Sequence, residues 1–243
     1  MRSPKRLLVL STVFALAAPT LVACPKQPEP TQVKSSEKTV DPDGLLKEVE
    51  AHLLTPSPVR ILIESDAVGA VEAHLKTTLT LAPTDKVRLE TEGTFQKQPL
   101  TLVLVSDGLV MKRVRNGELS EAVPSTGLRR QLLTELVRMG ALHDLALLAE
   151  GKLPDHLGDV ETWVVAHDAK VGDVDPTFEP PARPIGFLVR VSGTETGDCA
   201  LYVDKTLRPV QRQQLVHFPS GDMRVKETYA FDAAPPDVDY SKP

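Results

Sequence analysis

The sequence predicts an α+β fold, mainly antiparallel β, with about ten strands, one N-terminal helix and a mid-chain helix pair. Three observations carry this. Two blocks of short segments alternate apolar and polar residues with a period of two. The gaps between those segments are too short for helical crossovers, which makes neighbours antiparallel. Between the blocks lies a leucine-dense stretch with a period near 3.6, which demands an apolar surface to lie on.

The chain begins with an address. Arg2, Lys5 and Arg6 precede the apolar run Leu7 to Ala18, and small residues follow, which is the order of a secretory signal peptide over residues 1–23. Pro19 interrupts the run well short of the roughly 20 apolar residues that a membrane-spanning helix needs. Leu21-Val22-Ala23-Cys24 resembles the bacterial lipobox, in which the cysteine becomes the lipidated N-terminus after cleavage. By that resemblance Cys24 is the lipidation site, the partner is a membrane outside the cytoplasm, and Pro25 in place of an aspartate permits the outer membrane, facing the periplasm. Residues 24–42 hold Pro25, Pro28, Pro30 and Pro42 and read as a tether. Some 20 flexible residues reach about 25 Å.

The folded domain is expected over residues 43–232, with a loose tail at 233–243. Asp43 is a candidate N-cap, and Leu45, Leu46, Val49 and Leu53 recur at helical spacing until Pro56 and Pro58 stop the helix. Strands follow in Val59-Ile61-Ile63, in Val71 to Leu81, in Val87-Leu89-Thr91, in Leu100-Leu102-Leu104 and over about Leu109 to Arg115. Asp66 to Gly69, Pro83 to Asp85 and Asp107-Gly108 read as turns between them. From Ser125 to Glu150 the helical period returns, with Leu128, Leu132, Leu136 and Met139 on one stripe and Gly140 dividing two helices, until Gly151 and Pro154 stop the second. Strands resume at about Val160 to Asp168, Ile185 to Val191, Cys199 to Asp204, Pro209 to Phe218 and Met223 to Phe231, while Gly172 to Pro184 reads as a proline-rich surface loop. No internal repeat is visible.

Composition narrows function. With 28 basic against 33 acidic side chains the net charge is −5, and removal of the three basic residues of 1–23 leaves −8, so nucleic acid is not an expected partner. Only 4% of residues are aromatic, too few for stacking platforms. The six histidines form no His-x-x-x-His pair, the acidic loop around Asp173 and Asp175 lacks a calcium-loop pattern, and no nucleophile elbow, phosphate loop or Cys-x-x-Cys occurs. His143-Asp144 and His167-Asp168 are adjacent pairs, and adjacent residues on a strand face opposite sides. No metal, cofactor or catalytic residue is therefore expected, and the chain reads as a monomeric non-enzyme. Cys199 shares strand parity with Leu201 and Val203 and reads as core, as does Trp163. The helix pair either fills the concave side of the sheet or covers a cavity there.

The order of signal, lipobox, tether, helix, strands, helix pair and strands resembles the superfamily of the periplasmic lipoprotein carrier and the outer-membrane lipoprotein receptor (LolA/LolB-like). Leu201-Tyr202-Val203-Asp204, Leu207-Arg208-Pro209-Val210 and Tyr229-Ala230-Phe231-Asp232 also look like that group's closing strands. The resemblance implies a curved unclosed β-barrel with helices plugging its mouth, and a concave face that binds lipid or the acyl chains of lipoproteins. It would place Val71, Leu75, Leu79, Leu81, Val87, Leu89 and Phe95 on the concave wall and Leu132, Leu136 and Met139 on the helical lid. A carrier proper is soluble, so an anchored, receptor-like or lipid-binding member fits this chain better. The alternative from the residues is an envelope scaffold or sensor that holds a protein partner and has no cavity.

Overall fold

Period-two patterning requires a sheet with one covered face, and the structure, a computed structural model, meets this with a single antiparallel sheet. It describes residues 41–150, 152, 160–235 and 237–243. The expected signal segment, Cys24, the tether as far as residue 40, Gly151, Pro154 and His156 lie outside those residues. Helix α1 (Pro42–Leu53) is followed by β1 (Val59–Gly69), β2 (Ala73–Ala82), β3 (Lys86–Phe95), β4 (Gln98–Asp107), β5 (Met111–Arg115) and β6 (Glu118–Ala122). Then come α2 (Leu128–Arg138), α3 (Ala141–Ala149), the single turn α4 (Val160–Trp163), β7 (Val164–Val171), β8 (Ala182–Val191), β9 (Thr194–Asp204), β10 (Pro209–Phe218) and β11 (Gly221–Ala233).

The strand order is β6-β5-β4-β3-β2-β1-β11-β10-β9-β8-β7. Every neighbour pair but one is a hairpin, and the exception, β1 on β11, joins the first strand to the last with Ile61 opposite Phe231 and Ile63 opposite Tyr229. The outermost strands β6 and β7 do not pair, so the curved sheet is unclosed. Gly93 in β3 takes φ +142°, and a Cβ there would collide with the His74 carbonyl oxygen, so only glycine lets the two strands approach at this point.

Several elements differ from expectation for local reasons. Eleven strands form instead of ten, because Asn116-Gly117 closes a hairpin whose return strand, Glu118–Ala122, has no apolar alternation to betray it. Asp66 to Gly69 continues β1, since β11 runs far enough to pair with it as far as Met223. The residue preceding α1 is Asp41 rather than Asp43, with Pro42 in the first turn where its missing N–H costs nothing. Val160–Trp163 is a helical turn that leads into β7, and β8 begins at Ala182, earlier than the prolines suggested. The C-terminal segment is held against the outer face: Arg88 donates to the carbonyls of Asp239 and Lys242 at 3.0 and 2.7 Å, and Lys112 to that of Ser241 at 3.2 Å.

The concave face is filled. Inward residues of β1 to β4, among them Ile61, Leu75, Leu81, Val87 and Leu102, are fully buried in one cluster with Leu128, Leu132, Leu136, Leu145 and Leu148 of the helices. The outer face carries exposed ion pairs such as Lys76–Glu64 and Arg60–Asp232, which add little stability. Among the described residues no helix is long and apolar enough to cross a membrane.

Candidate functional site: a polar keystone and an apolar mouth

Helices laid on an apolar sheet still have terminal N–H and C=O groups that need partners. Here residues outside each helix supply them. Gly127 precedes α2 with φ +80° and has no side chain to cap with, and the carboxylate of Asp85, in the β2–β3 turn, accepts from Gly127 N and Arg129 N at 2.9 and 3.1 Å. The Arg129 side chain in turn donates to the carbonyls of Leu54, Thr55 and Ser57 at the end of α1. Arg138 clasps Glu50 of α1 through two bonds of 2.6 and 3.0 Å.

The corner between α2 and α3 is seated on two fully buried charged side chains of the sheet. Arg212 of β10 and Glu227 of β11 face each other across the strands. Arg212 donates to the carbonyls of Val137 and Arg138, both at 2.6 Å, at the negative end of α2. Glu227 accepts from Ala141 N and Leu142 N at 3.1 and 2.7 Å, at the positive end of α3, and also from Ser65 Oγ and Tyr229 Oη at 3.1 and 2.5 Å. Each charge therefore meets the helix end of opposite partial charge. Gly140 makes this possible: its φ is +87°, and a Cβ would meet Glu227 Oε2. Burial first, and then the Glu227 carboxylate, hold the Tyr229 hydroxyl well above its ordinary pKa.

Beside this keystone lie two more buried acids. Glu135, in the last turns of α2, is fully buried and its Oε2 lies 3.0 Å from His143 Nδ1. Asp144 is also buried, and desolvation followed by the Glu135 carboxylate pushes its pKa well up. The His143 ring packs on Trp163 with 5.6 Å between centroids.

At the hairpin-turn end of the sheet a mainly apolar pocket of about 350 Å³ remains between α3 and the strands, lined by Val71, Phe95, Met139, Leu142, Ala146 and Met223, with Gln96, His143, Glu150, Thr196 and Gln214 as its polar members. Three residues expected on the concave wall or lid, Val71, Phe95 and Met139, meet here. The other seven, Leu75, Leu79, Leu81, Val87, Leu89, Leu132 and Leu136, are 0–3% exposed in the core and do not line this pocket. Their burial follows from the helix pair lying in the concavity, so the open space is confined to its mouth. A shallower groove on the outer face mixes Leu62 and Val103 with the charged side chains of Glu64, Lys76, Glu90 and Glu92.

Cys199 is buried and free, and desolvation raises its thiol pKa to about 11. Trp163 is buried as well. Sequence reasoning missed the Glu135, His143 and Asp144 grouping because it treated His143-Asp144 as a strand pair. On a helix, adjacent residues are separated by about 100°, and both can reach a residue on the preceding helix across a tight corner. The available signal was Gly140 between two helical stripes, with an acid five residues before it and His-Asp just after.

Fold and site define a class: an unclosed antiparallel barrel with a helical plug and an apolar mouth, the arrangement that the LolA/LolB-like resemblance implies. No protein-family model matches the chain, and no curated protein matches it. Among solved structures it is similar to LprF from Mycobacterium bovis, at TM-score 0.48 and 9% identity, over 83% of this chain and 96% of that one. It is also similar to a LolA superfamily protein from Nitrosomonas europaea, at TM-score 0.35 and 8% identity, over 84% of this chain and 98% of that one. A third is an outer membrane lipoprotein-sorting protein domain from Vibrio parahaemolyticus, at TM-score 0.32 and 8% identity, over 82% and 95% of the two chains.

Proposed function

We propose that this chain is a membrane-anchored extracytoplasmic lipoprotein that binds a hydrophobic ligand, a lipid or the acyl chain of another lipoprotein, at the mouth of its sheet. The observation that carries the reading is the apolar pocket of about 350 Å³ between α3 and the strand ends, within the size range of ligand sites. Its few polar members suit a ligand with an apolar body and a polar end. Each methylene transferred from water contributes about 0.8 kcal/mol, so about eight of them supply about 6 kcal/mol, in the range of tens of micromolar. The lipobox resemblance of Leu21 to Cys24 supports anchoring through lipid at Cys24, on the outer membrane facing the periplasm.

Native mass spectrometry of the chain purified from a membrane-containing host tests the pocket. The reading expects a bound lipid mass that falls at least tenfold in Ala146→Trp, which fills the mouth. A chain that carries no lipid, or one whose lipid is indifferent to that substitution, refutes it.

One observation favours a second reading, in which a protein partner docks at the open edge. Leu109, Leu119 and Val123 are 79, 60 and 80% exposed beside the unpaired edge of β6. Crosslinking from an edge position such as Leu119 to a defined protein, lost on Leu119→Lys, is its expected result.

A further inference from the structure

We propose that Glu135, His143 and Asp144 form a binding site for one divalent transition-metal ion of the zinc class, built at the α2–α3 corner. One ligand atom from each residue lies within 4.8 Å of the others. A tetrahedral ion with bonds of about 2.1 Å separates its ligand atoms by about 3.4 Å, and Glu135 Oε2 to His143 Nδ1 is already 3.0 Å. One imidazole and two carboxylates are a donor set for such an ion and leave an open fourth position.

A hydrogen-bonded trio of side chains would not by itself point to an ion. Two further facts do. Glu135 and Asp144 have only each other as carboxyl neighbours with which to share a proton, and Glu135 Oε1 and Asp144 Oδ1 are left as buried oxygens without a hydrogen-bond partner, their residues being 0 and 3% exposed. Such atoms carry a desolvation cost that something must offset. The local charge is also one-sided. Three buried carboxyls, Glu135, Asp144 and Glu227, share this corner, while Arg212 spends its donors on the carbonyls of Val137 and Arg138 and on Gln214, and Arg138 pairs with Glu50 and the Val164 carbonyl. A divalent cation answers both deficits at once. The site is also reached from outside: His143 lines the apolar mouth and its side chain is 25% exposed. The inference stands on these residues and does not require that the mouth bind lipid.

Trp163, the only tryptophan of the chain, packs against His143 and serves as a local reporter. The test titrates Co²⁺ into the chelator-treated full chain and follows tryptophan emission and visible absorption together. The expected result is saturable quenching at one ion per chain, reversed by chelator and by competing Zn²⁺, with the intense visible band of four-coordinate Co²⁺. His143→Gln and Glu135→Gln each weaken binding about a hundredfold, while His217→Gln, which removes an exposed His–Asp pair on the β10–β11 hairpin, leaves it unchanged. Absence of saturable quenching, as expected if Glu135 and Asp144 only share a proton, overturns the proposal. So does quenching that persists unchanged in folded His143→Gln, or a Co²⁺ spectrum of the hexahydrated ion. Should both variants fail to fold, the wild-type stoichiometry and visible band decide.

Discussion

Replacing Glu227 by glutamine tests whether the helix pair is seated on the sheet by its charge. The substitution keeps the shape of the side chain but turns one carboxylate oxygen into an amide. Oε1 receives Ser65 Oγ and Leu142 N, and Oε2 receives Tyr229 Oη and Ala141 N. In either amide orientation one helix N–H of α3 faces another donor, while the hydroxyl on that side can turn to accept. An orphaned buried N–H costs about 1–3 kcal/mol, and loss of the charge at a buried helix N-terminus costs up to about 2 kcal/mol more. The expected destabilisation is about 3–4 kcal/mol, or a fall in Tm of about 10 °C for a domain of this size. Thermal and urea unfolding of Glu227→Gln, beside Glu118→Gln on the exposed strand β6 as a control within about 0.5 kcal/mol of the parent, measures it. A loss below about 1 kcal/mol for Glu227→Gln would refute the reasoning, and would mean that leucine packing alone positions α3.

Three other outcomes follow from the same residues. Cys24→Ser should abolish acyl labelling and membrane retention, and a variant still found in membranes after a carbonate wash contradicts the anchor. With its thiol pKa raised to about 11, Cys199 has about one thiol in a thousand ionised at pH 8, so a thiol reagent should label it only on unfolding, and rapid labelling of the native chain contradicts its burial. The hydrogen bond that His217 donates to Asp222 raises the pKa of this exposed histidine, so the pair stabilises the fold below the ordinary histidine value and loses that contribution as pH rises through the raised one. Asp222→Asn should return the His217 titration, followed by NMR, to the ordinary range.

The first strands were legible in the sequence because their inner face is mainly aliphatic, with Ser65, Thr77 and Thr91 as buried polar exceptions. Val71 to Leu81 keeps a period of two with Thr77 as its one polar inward position, and the structure buries Leu75, Leu79 and Leu81 while turning Lys76 outward. Strand β6 was not legible, since Glu118 to Ala122 is an edge strand with Leu119 exposed, and an edge has no buried face to impose a pattern. The helix corner was legible as two leucine stripes around Gly140, but its partners were not. Arg212 and Glu227 stand in a strand block and look in the sequence like two more charges on a wet face. For Arg212 the cause is a bulge between Pro209 and Gln211 that shifts the inward parity of β10, whereas Glu227 shares the parity of Met223, Val225 and Tyr229, a sign that its charge was on the covered side. The pocket was legible in part for a related reason. Periodicity says which residues face inward, Val71 and Phe95 from the strands and Met139 from the helix, but it does not say how deep the helices lie, which separates a core position such as Leu79 from a mouth position such as Phe95.

That depth is set by the keystone. Arg212 and Glu227 fix the corner at Gly140, and α3 runs from that corner over the strand ends with Leu145 and Leu148 buried beneath it and Ala146 turned toward the mouth. Apolar packing between leucines is tolerant of sliding, because one methyl contact can replace another at similar energy. Hydrogen bonds that two successive backbone N–H groups donate to a buried carboxylate are not, since a displacement of a single residue breaks both. The polar pair therefore specifies where the plug stops, and with it the size of the opening left at the mouth. Weakening the pair should change ligand occupancy as well as stability, whereas trimming a core leucine such as Leu136 should lower stability by about 2–5 kcal/mol and leave the mouth in place.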